Sequence, residues 1–396
     1  MRAVTSRRAA ALAVSHDRAA AKVNRMRIGV PKEIKNGEYR VALTHAGAQD
    51  LVRAGHEVLV ERGAGVASRI PDEAYVAAGA RIAPNAATIW GEAELVLKVK
   101  EPIAAEYALL REGLQLFTFL HLAAEPDLTR TLLDTGVTAI AYETVQLPDR
   151  SLPLLAPMSE VAGRLAPIVG AHAMLLPAGG PGLLVPGVPG THAAHLVIIG
   201  AGVAGSSAMD VALGLGARVT VLDTNLARLR EIDTIHHGRV QTLASNAYEI
   251  ERAVLDADLV IGSVLIPGAR APKLVTQEHI EHMKPGSVLV DIAIDQGGCF
   301  APSRPTTHEA PTFTVADSLF YCVTNMPGAV PVTSTFGLTN ATLPYVRALA
   351  SRGWRDAMRA DPALALGLNT HAGHVVNAPV AAALGLDAVE LEEVLG

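Results

Sequence analysis

Cysteine is nearly missing: Cys299 and Cys322 are the two thiols in 396 residues. Two well-separated thiols cannot build a disulfide framework, so the expected setting is a reducing cytoplasm. Long apolar runs are missing too, because Gly, Pro and charged residues interrupt every hydrophobic stretch. None approaches the roughly 18–20 residues that span a bilayer. There is no basic excess either: 33 Lys and Arg face 39 Asp and Glu, a net charge of −6. That balance argues against a nucleic-acid footprint. No repeat of solenoid period is present, and no low-complexity segment lies beyond the N-terminal tail.

What is abundant is apolar material, at 50% of the residues. The length suits two domains with separate cores, and some of the apolar surplus is expected at subunit interfaces. Residues 1–25 differ from the rest, being rich in Ala and Arg with Asp17 the only acid. The stretch AAALAV is too short for a secretory core, and Arg7-Arg8 is a faint match to an export signal. The expectation is a loosely ordered tail, with Met26 as an alternative start.

From Met26 onward, short apolar runs alternate with amphipathic stretches, the pattern of βα units around a parallel sheet. RIGV (27–30), EVLVE (57–61), ELVLKV (94–99), LQLFTFL (114–120) and TAIAYE (138–143) read as strands. THAGAQDLVRAGH (44–56) reads as a helix, with Thr44 as N-cap and Gly55 as its stop. SEVAGRLAPIVGAHAMLL (159–176) has helical spacing and is expected to bridge two domains. The Gly- and Pro-dense segment 177–190 is a loop. LVIIG, RVTVLD, DLVIGSV and SVLVDIA form a second strand series, and after NMPGAVPVTST (325–335) the chain reads as helical with no further strand series. The expected fold is α/β, with two doubly wound Rossmann-like domains of parallel sheet separated by a cleft. Residues 26–153 with 332–396 would form one domain and residues 154–331 the other.

Gly200, Gly202 and Gly205 follow the run LVII as G-A-G-V-A-G, and Asp223 closes the next strand. The order strand, glycines, helix, strand, acid is that of a dinucleotide site. The first glycine permits the tight turn, the second admits a pyrophosphate, and the third lets helix and strand approach closely. Val203 and Ala204 would offer their backbone at the helix N-terminus, where N–H groups and the macrodipole favour anions. Asp223 would accept the adenosine ribose hydroxyls. A carboxylate there repels a 2′-phosphate, and Thr224 and Asn225 supply no arginine, so NAD is expected rather than NADP.

Ligands of open α/β sheets collect beyond the carboxyl ends of the strands. Arg40, Lys100 and His121 stand at or beyond such ends in the first half, and Asp295 does so in the second. Each also has a plainer reading. Arg40 could be a solvated loop charge, Lys100 a strand cap, His121 a core histidine and Asp295 a turn-former; their shared location singles them out. Glu143, at the end of TAIAYE, is read as a supporting residue.

The segments RIGVPKEIKNGEYRVALT, LVLKVKEP, LFTFLHLAA, AYETVQ, PLLAPMSEVAGR, GAGVAG, MKPGSVLVDIAIDQGGCF and NMPGAVPVTST together resemble the bacterial L-alanine dehydrogenase family. That family is related to the NAD(H)-binding subunit of transhydrogenase, and the histidine in FLHLA points to the dehydrogenase side. The resemblance implies reversible conversion of L-alanine, NAD and water to pyruvate, ammonium and NADH. It implies Arg40 and Lys100 as the substrate-binding pair, with Arg40 gripping a carboxylate through a bidentate fork. His121 would be the acid–base group and Asp295 would orient water or ammonia. Around NAD it implies Ser159, Arg228, Ser245, Val264, Leu265 and Ile292. Asp295, Arg304, Val323, Asn325 and Met326 complete that set. A homo-oligomer, usually a hexamer, is implied as well, with no membrane partner.

Some positions depart from the family pattern. His45 follows Thr44 where proline is usual, Pro181 replaces an arginine, and Val332 replaces a basic residue. Ala348 and Arg352 stand where some relatives carry magnesium ligands, so no protein-ligated metal is expected. Two other readings compete: a non-catalytic NAD(H)-binding module related to the transhydrogenase α subunit, and a dehydrogenase of another small acid such as glyoxylate.

Overall fold

The computed structural model describes residues 25–264 and 271–396. The tail 1–24 and Leu265 therefore lie outside the described residues. Strands β1 (Arg27–Val30), β2 (Glu57–Glu61), β3 (Arg81–Ala83), β4 (Leu95–Leu97), β5 (Gln115–Thr118) and β6 (Thr138–Ala141) run parallel in one sheet. A second sheet holds β7 (His195–Ile199), β8 (Arg218–Asp223), β9 (Val240–Ala244), β10 (Leu259–Gly262), β11 (Val288–Asp291), β12 (Thr312–Val315) and β13 (Ser318–Tyr321). The chain then returns to the first sheet with β14 (Leu368–His371) and β15 (His374–Val375).

The expected α/β architecture of two sheets is present, with three corrections. Both sheets are mixed rather than purely parallel, since β12 pairs antiparallel with β13 and β14 antiparallel with β6. The C-terminal segment is not strand-free: β14 and β15 form a hairpin on the edge of the first sheet. The strands β3, β9, β12 and β13 also escape the sequence pattern. β3, β9 and β12 are edge elements, short or half-exposed, with too few apolar residues to show a period, while β13 is a buried inner strand only four residues long.

Local chemistry explains the elements that were legible. The strands β1, β2 and β8 match RIGV, EVLVE and RVTVLD to the residue, because each is a buried apolar run opened by a charged residue. The helix His45–Arg53 begins where Thr44 Oγ1 accepts the Gly47 N–H at 3.2 Å, so His45 does not dislodge the start. Gly55 follows the helix with φ +95°, the left-handed geometry that stops it.

The long helix Ala156–Ala173 starts three residues before the expected position and joins the two cores. Met158 packs in the core of the first sheet, while Ala162 and Ala166 pack in that of the second. Its small residues allow close approach: a Cβ on Gly163 would lie 2.2 Å from Ala204 O in the helix Val203–Gly214. Among the described residues no helix is long and apolar enough to cross a membrane.

In the first sheet the strand order reverses beside β1, with β2 on one side and β4 on the other. In the second it reverses beside β7, between β8 and β10. Such switch points open a crevice beyond the carboxyl ends of the strands. The loop carrying Arg40 and the segment carrying Lys100 follow β1 and β4, and the glycine turn follows β7.

Three histidines, His56 and His195 buried and His371 half-buried, set an expected pH response. Burial holds His56, His195 and His371 below the ordinary 6.5. Each binds fewer protons folded than unfolded, so its contribution is intact above that value and lost as pH falls through it. Burial alone would raise Glu38, but Arg40 outweighs it and holds the carboxyl below its ordinary 4.5, adding a second loss in stronger acid. The melting temperature should begin to drop below about pH 6.5 and drop further below about pH 4.5. A flat profile from neutral pH into mild acid, followed by scanning calorimetry, would contradict this assignment.

Candidate active site

The loop after β1 is the hub. Arg40 is buried at 2% exposure, where a charge must be paired. Its Nε donates to Glu38 Oε1 at 2.7 Å, and Nη2 meets Glu38 Oε2 and, at 2.7 Å, Asn325 Oδ1. Nη1 lies 2.9 Å from Met158 Sδ. The two-pronged edge expected to grip a substrate is thus occupied by Glu38, and Nη1, against Met158 Sδ, is the terminal nitrogen that meets no oxygen among the described residues. Asn325 comes from the second half of the chain and stands in left-handed geometry, with φ +59°. Its Nδ2 donates to Gly37 O at 3.2 Å and Glu38 Oε2 at 3.0 Å. That one amide ties the two halves together beside Arg40.

Lys100 follows β4 and is 8% exposed, and among the described residues its ammonium enters no ion pair. Two positions earlier, Lys98 is fully buried between Glu33 Oε2 and Glu106 Oε1, each at 2.9 Å. Burial alone would lower its pKa, but the two carboxylates outweigh that and hold it above the ordinary value. Glu33 Oε1 also accepts the Val99 N–H at 2.6 Å, which fixes the strand end that presents Lys100.

His121 lies three residues past β5 with φ +51° and ψ +33°. Left-handed geometry is uncommon outside glycine and clusters at functional sites. Glu143 holds this turn by accepting the His121 N–H at 2.7 Å and the Leu120 N–H at 3.1 Å. The supporting role read for Glu143 thus has a definite object, the backbone of His121. The ring Nδ1 lies 3.1 Å from Glu101 Oε2, and the ring stacks on Phe119 at 5.9 Å between centroids. Glu101 also pairs with Lys35. Burial would raise the Glu101 carboxyl, but His121, Lys100 and Lys35 outweigh it and keep it far below the carboxylate range.

Asp295 lies in the short helix Ile292–Gln296, just past β11, and its side chain is exposed. Its field reaches Lys35: burial lowers that lysine's pKa, but Glu101, Glu125 and Asp295 together raise it above the ordinary value. Asp295 is therefore within electrostatic range of Lys35, the partner of Glu101. The turn carrying it is anchored by buried Asp291, whose Oδ2 accepts the Cys299 N–H at 2.8 Å and Ser303 Oγ–H at 2.5 Å.

At the second switch point each glycine does a different job. Gly200 has φ +102° in the turn leaving β7. A Cβ on Gly202 would meet nothing within 4 Å, so the backbone there faces open space. A Cβ on Gly205 would lie 1.8 Å from Gly200 O, which is strand and helix in contact. An open second glycine and a closed third one fit a pyrophosphate seated on the helix N-terminus. Asp223 Oδ2 accepts the Ala201 N–H at 2.6 Å and Oδ1 the Asn225 N–H at 2.7 Å. Carboxylate oxygens carry two lone pairs each, so capacity for ribose hydroxyls remains.

The other residues expected around a dinucleotide are spread more widely. Arg228 adjoins the glycine turn, donating to Ala201 O at 3.0 Å and Ser206 Oγ at 2.7 Å, with Glu231 as its counter-ion. Ser245 follows β9 and donates its N–H to Asp223 O at 2.9 Å. Val203 is exposed at the helix start, and half-buried Ala204 follows it. Val264 and Ile292 are half-buried at the ends of β10 and β11, while Val323 and Met326 are buried in the core. Ser159 lies one residue past Met158, which touches Arg40. Arg304 is not in the crevice cluster: it is exposed, over the Phe313 ring at 4.2 Å, on the β12 edge of the sheet.

Lys35, Glu38, Lys98, Glu101 and Asp291 escaped the sequence reading. The one signal available was the density of opposite charges in KEIKNGEYR and KVKEP directly after apolar strands.

Comparison with known proteins extends this picture to nearly the whole chain. The family models "Alanine dehydrogenase/PNT" match residues 29–162 with the N-terminal domain and 166–378 with the C-terminal domain. An alanine dehydrogenase of Mycobacterium tuberculosis (strain CDC 1551 / Oshkosh) is 59% identical over 93% of this chain and 100% of its own length. One from Halomonas elongata is 55% identical over 94% and 100%. A solved L-alanine dehydrogenase superposes with TM-score 0.87 at 50% identity, covering 91% of this chain and 99% of that one. A transhydrogenase structure from Sinorhizobium meliloti is more distant, at TM-score 0.75 and 27% identity over 89% and 99%. The chain belongs to the alanine dehydrogenase/PNT family.

Proposed function

We propose that the chain is an L-alanine dehydrogenase, catalysing the reversible NAD-dependent deamination of L-alanine to pyruvate and ammonium. The observation that carries this reading is the join at the crevice. Asn325 of the second half bonds Arg40 of the first, and the adjacent strands β4 and β5 lead into Lys100 and His121, the latter bonded to Glu101. A small 2-amino or 2-oxo acid reacting at its α-carbon asks for these groups: cations for its carboxylate and a proton carrier near that carbon.

Residues 26–153 with 332–396 carry the substrate groups, and residues 154–331 carry the NAD site. Lys100 and the Nη1 side of Arg40 bind the carboxylate. His121 moves the proton at the substrate oxygen or nitrogen, and Asp295 orients the water or ammonia that exchanges there. NAD, when bound, supplies the hydride acceptor, and the protein supplies alignment and charge. Asp223 disfavours a 2′-phosphate by repulsion, and the nearby Arg228 is neutralised by Glu231, so NAD is preferred to NADP. The same reading includes a cytoplasmic homo-oligomer, a hexamer by family likeness.

The test is to follow NADH formation with a panel of L-amino acids, then the reverse reaction of pyruvate and ammonium with NADH or NADPH. Turnover with L-alanine, and with NADH over NADPH, is expected. A chain that binds NADH but turns over no amino acid would instead be the binding module related to the transhydrogenase α subunit. Faster turnover of glyoxylate than of pyruvate would move the substrate to another small acid.

A further inference from the structure

We propose that Glu101 is the positioning residue for the reaction, holding the His121 ring by its Nδ1–H so that Nε2 is the nitrogen that works on substrate. The proposal rests on the dehydrogenase reading and adds a residue to it. The carboxylate oxygens of Glu101 have separate tasks: Oε1 meets Lys35 and Oε2 lies 3.1 Å from His121 Nδ1.

Burial argues against an incidental ion pair. The Glu101 side chain is 4% exposed although its partner Lys35 is 36% exposed, so the carboxylate sits deeper than a surface pair requires. An ionised carboxylate taken from water is stable only if its lone pairs are met. A neutral imidazole has one N–H, and a carboxylate can accept but not donate, so the proton is drawn to Nδ1 and the Nε2 lone pair is left outward. Among the described residues Nε2 has no partner of its own. The turn is held independently, since Glu143 binds the His121 backbone N–H at 2.7 Å and Phe119 packs flat against the ring. Glu143 therefore places the residue, and Glu101 selects the tautomer and the ring angle. Lys35 keeps Glu101 in place.

Two measurements test this. In the parent protein labelled with ¹⁵N-histidine and saturated with NADH, the neutral His121 ring should show its proton on Nδ1. In Glu101→Ala, kcat for pyruvate amination should fall by about 100-fold, the low end of what a positioned acid–base group contributes. KM for pyruvate and the affinity for NADH should stay within about threefold, since the uniform binding contacts are untouched. A neutral ring protonated on Nε2 would overturn the proposal, and so would a loss seen in KM with kcat preserved. If the variant does not fold, the tautomer in the parent protein decides alone. A parent protein with no alanine turnover would sink the dehydrogenase reading yet leave the tautomer result standing, so the two failures are separable.

Discussion

Replacing His121 with asparagine should cost about 100- to 10,000-fold in turnover, the range for losing a positioned general acid–base group. Asparagine is the informative substitute because it tolerates the left-handed backbone that His121 adopts at φ +51°. The Glu143 contact is made to a backbone N–H, so it survives the change. Glu101 keeps Lys35 as a partner, which limits the charge left behind. NADH affinity, read by fluorescence, should remain near that of the parent, because the glycine turn after β7 belongs to the other sheet. Turnover at the parental rate would remove His121 from the chemistry and leave its strained turn without a role.

The second large effect separates glycines that look alike in the sequence. Gly202→Ala places its new methyl in open space, with the backbone at φ −68° and ψ −167°, which any residue adopts. The variant should melt like the parent but bind NADH at least about tenfold more weakly, since the methyl occupies the approach of the pyrophosphate. Gly205→Ala drives a Cβ to 1.8 Å from Gly200 O and 2.7 Å from Ser263 Oγ. Backbone cannot yield as a side chain does, so this variant should lose about 1–3 kcal/mol of stability or more, with cofactor binding lost too. Thermal melts with and without NADH check both. If Gly202→Ala bound NADH normally, the open face at Gly202 would not be the phosphate seat.

The residues that carry most of the functional reading were legible one by one. Gly200, Gly202, Gly205 and Asp223 lie within a single βαβ unit, where local spacing and three-dimensional placement nearly coincide. Arg40, Lys100 and His121 were legible as ionisable residues just beyond apolar runs. Their partners were not. Arg40 reaches Asn325 across 285 positions, and His121 reaches Glu101 across 20. The partner of the Arg40 Nε–Nη2 fork stayed hidden for that reason: Glu38, two residues away, reads as another loop charge until the loop folds back on itself. The strands β14 and β15 were hidden likewise, since a short hairpin at a sheet edge carries little apolar period.

Local chemistry along the chain determined where the buried strands run, where the helix capped by Thr44 starts, and which turn has room for a phosphate. Those properties depend on neighbours a few residues apart. Tertiary structure alone decided that Glu38 and Glu101 are buried counter-charges and that Asn325 stitches one half to the other. It also decided that the C-terminal hairpin completes the first sheet. A buried charge is stable only beside its partner, and partners drawn from distant segments become neighbours only when the sheets have formed.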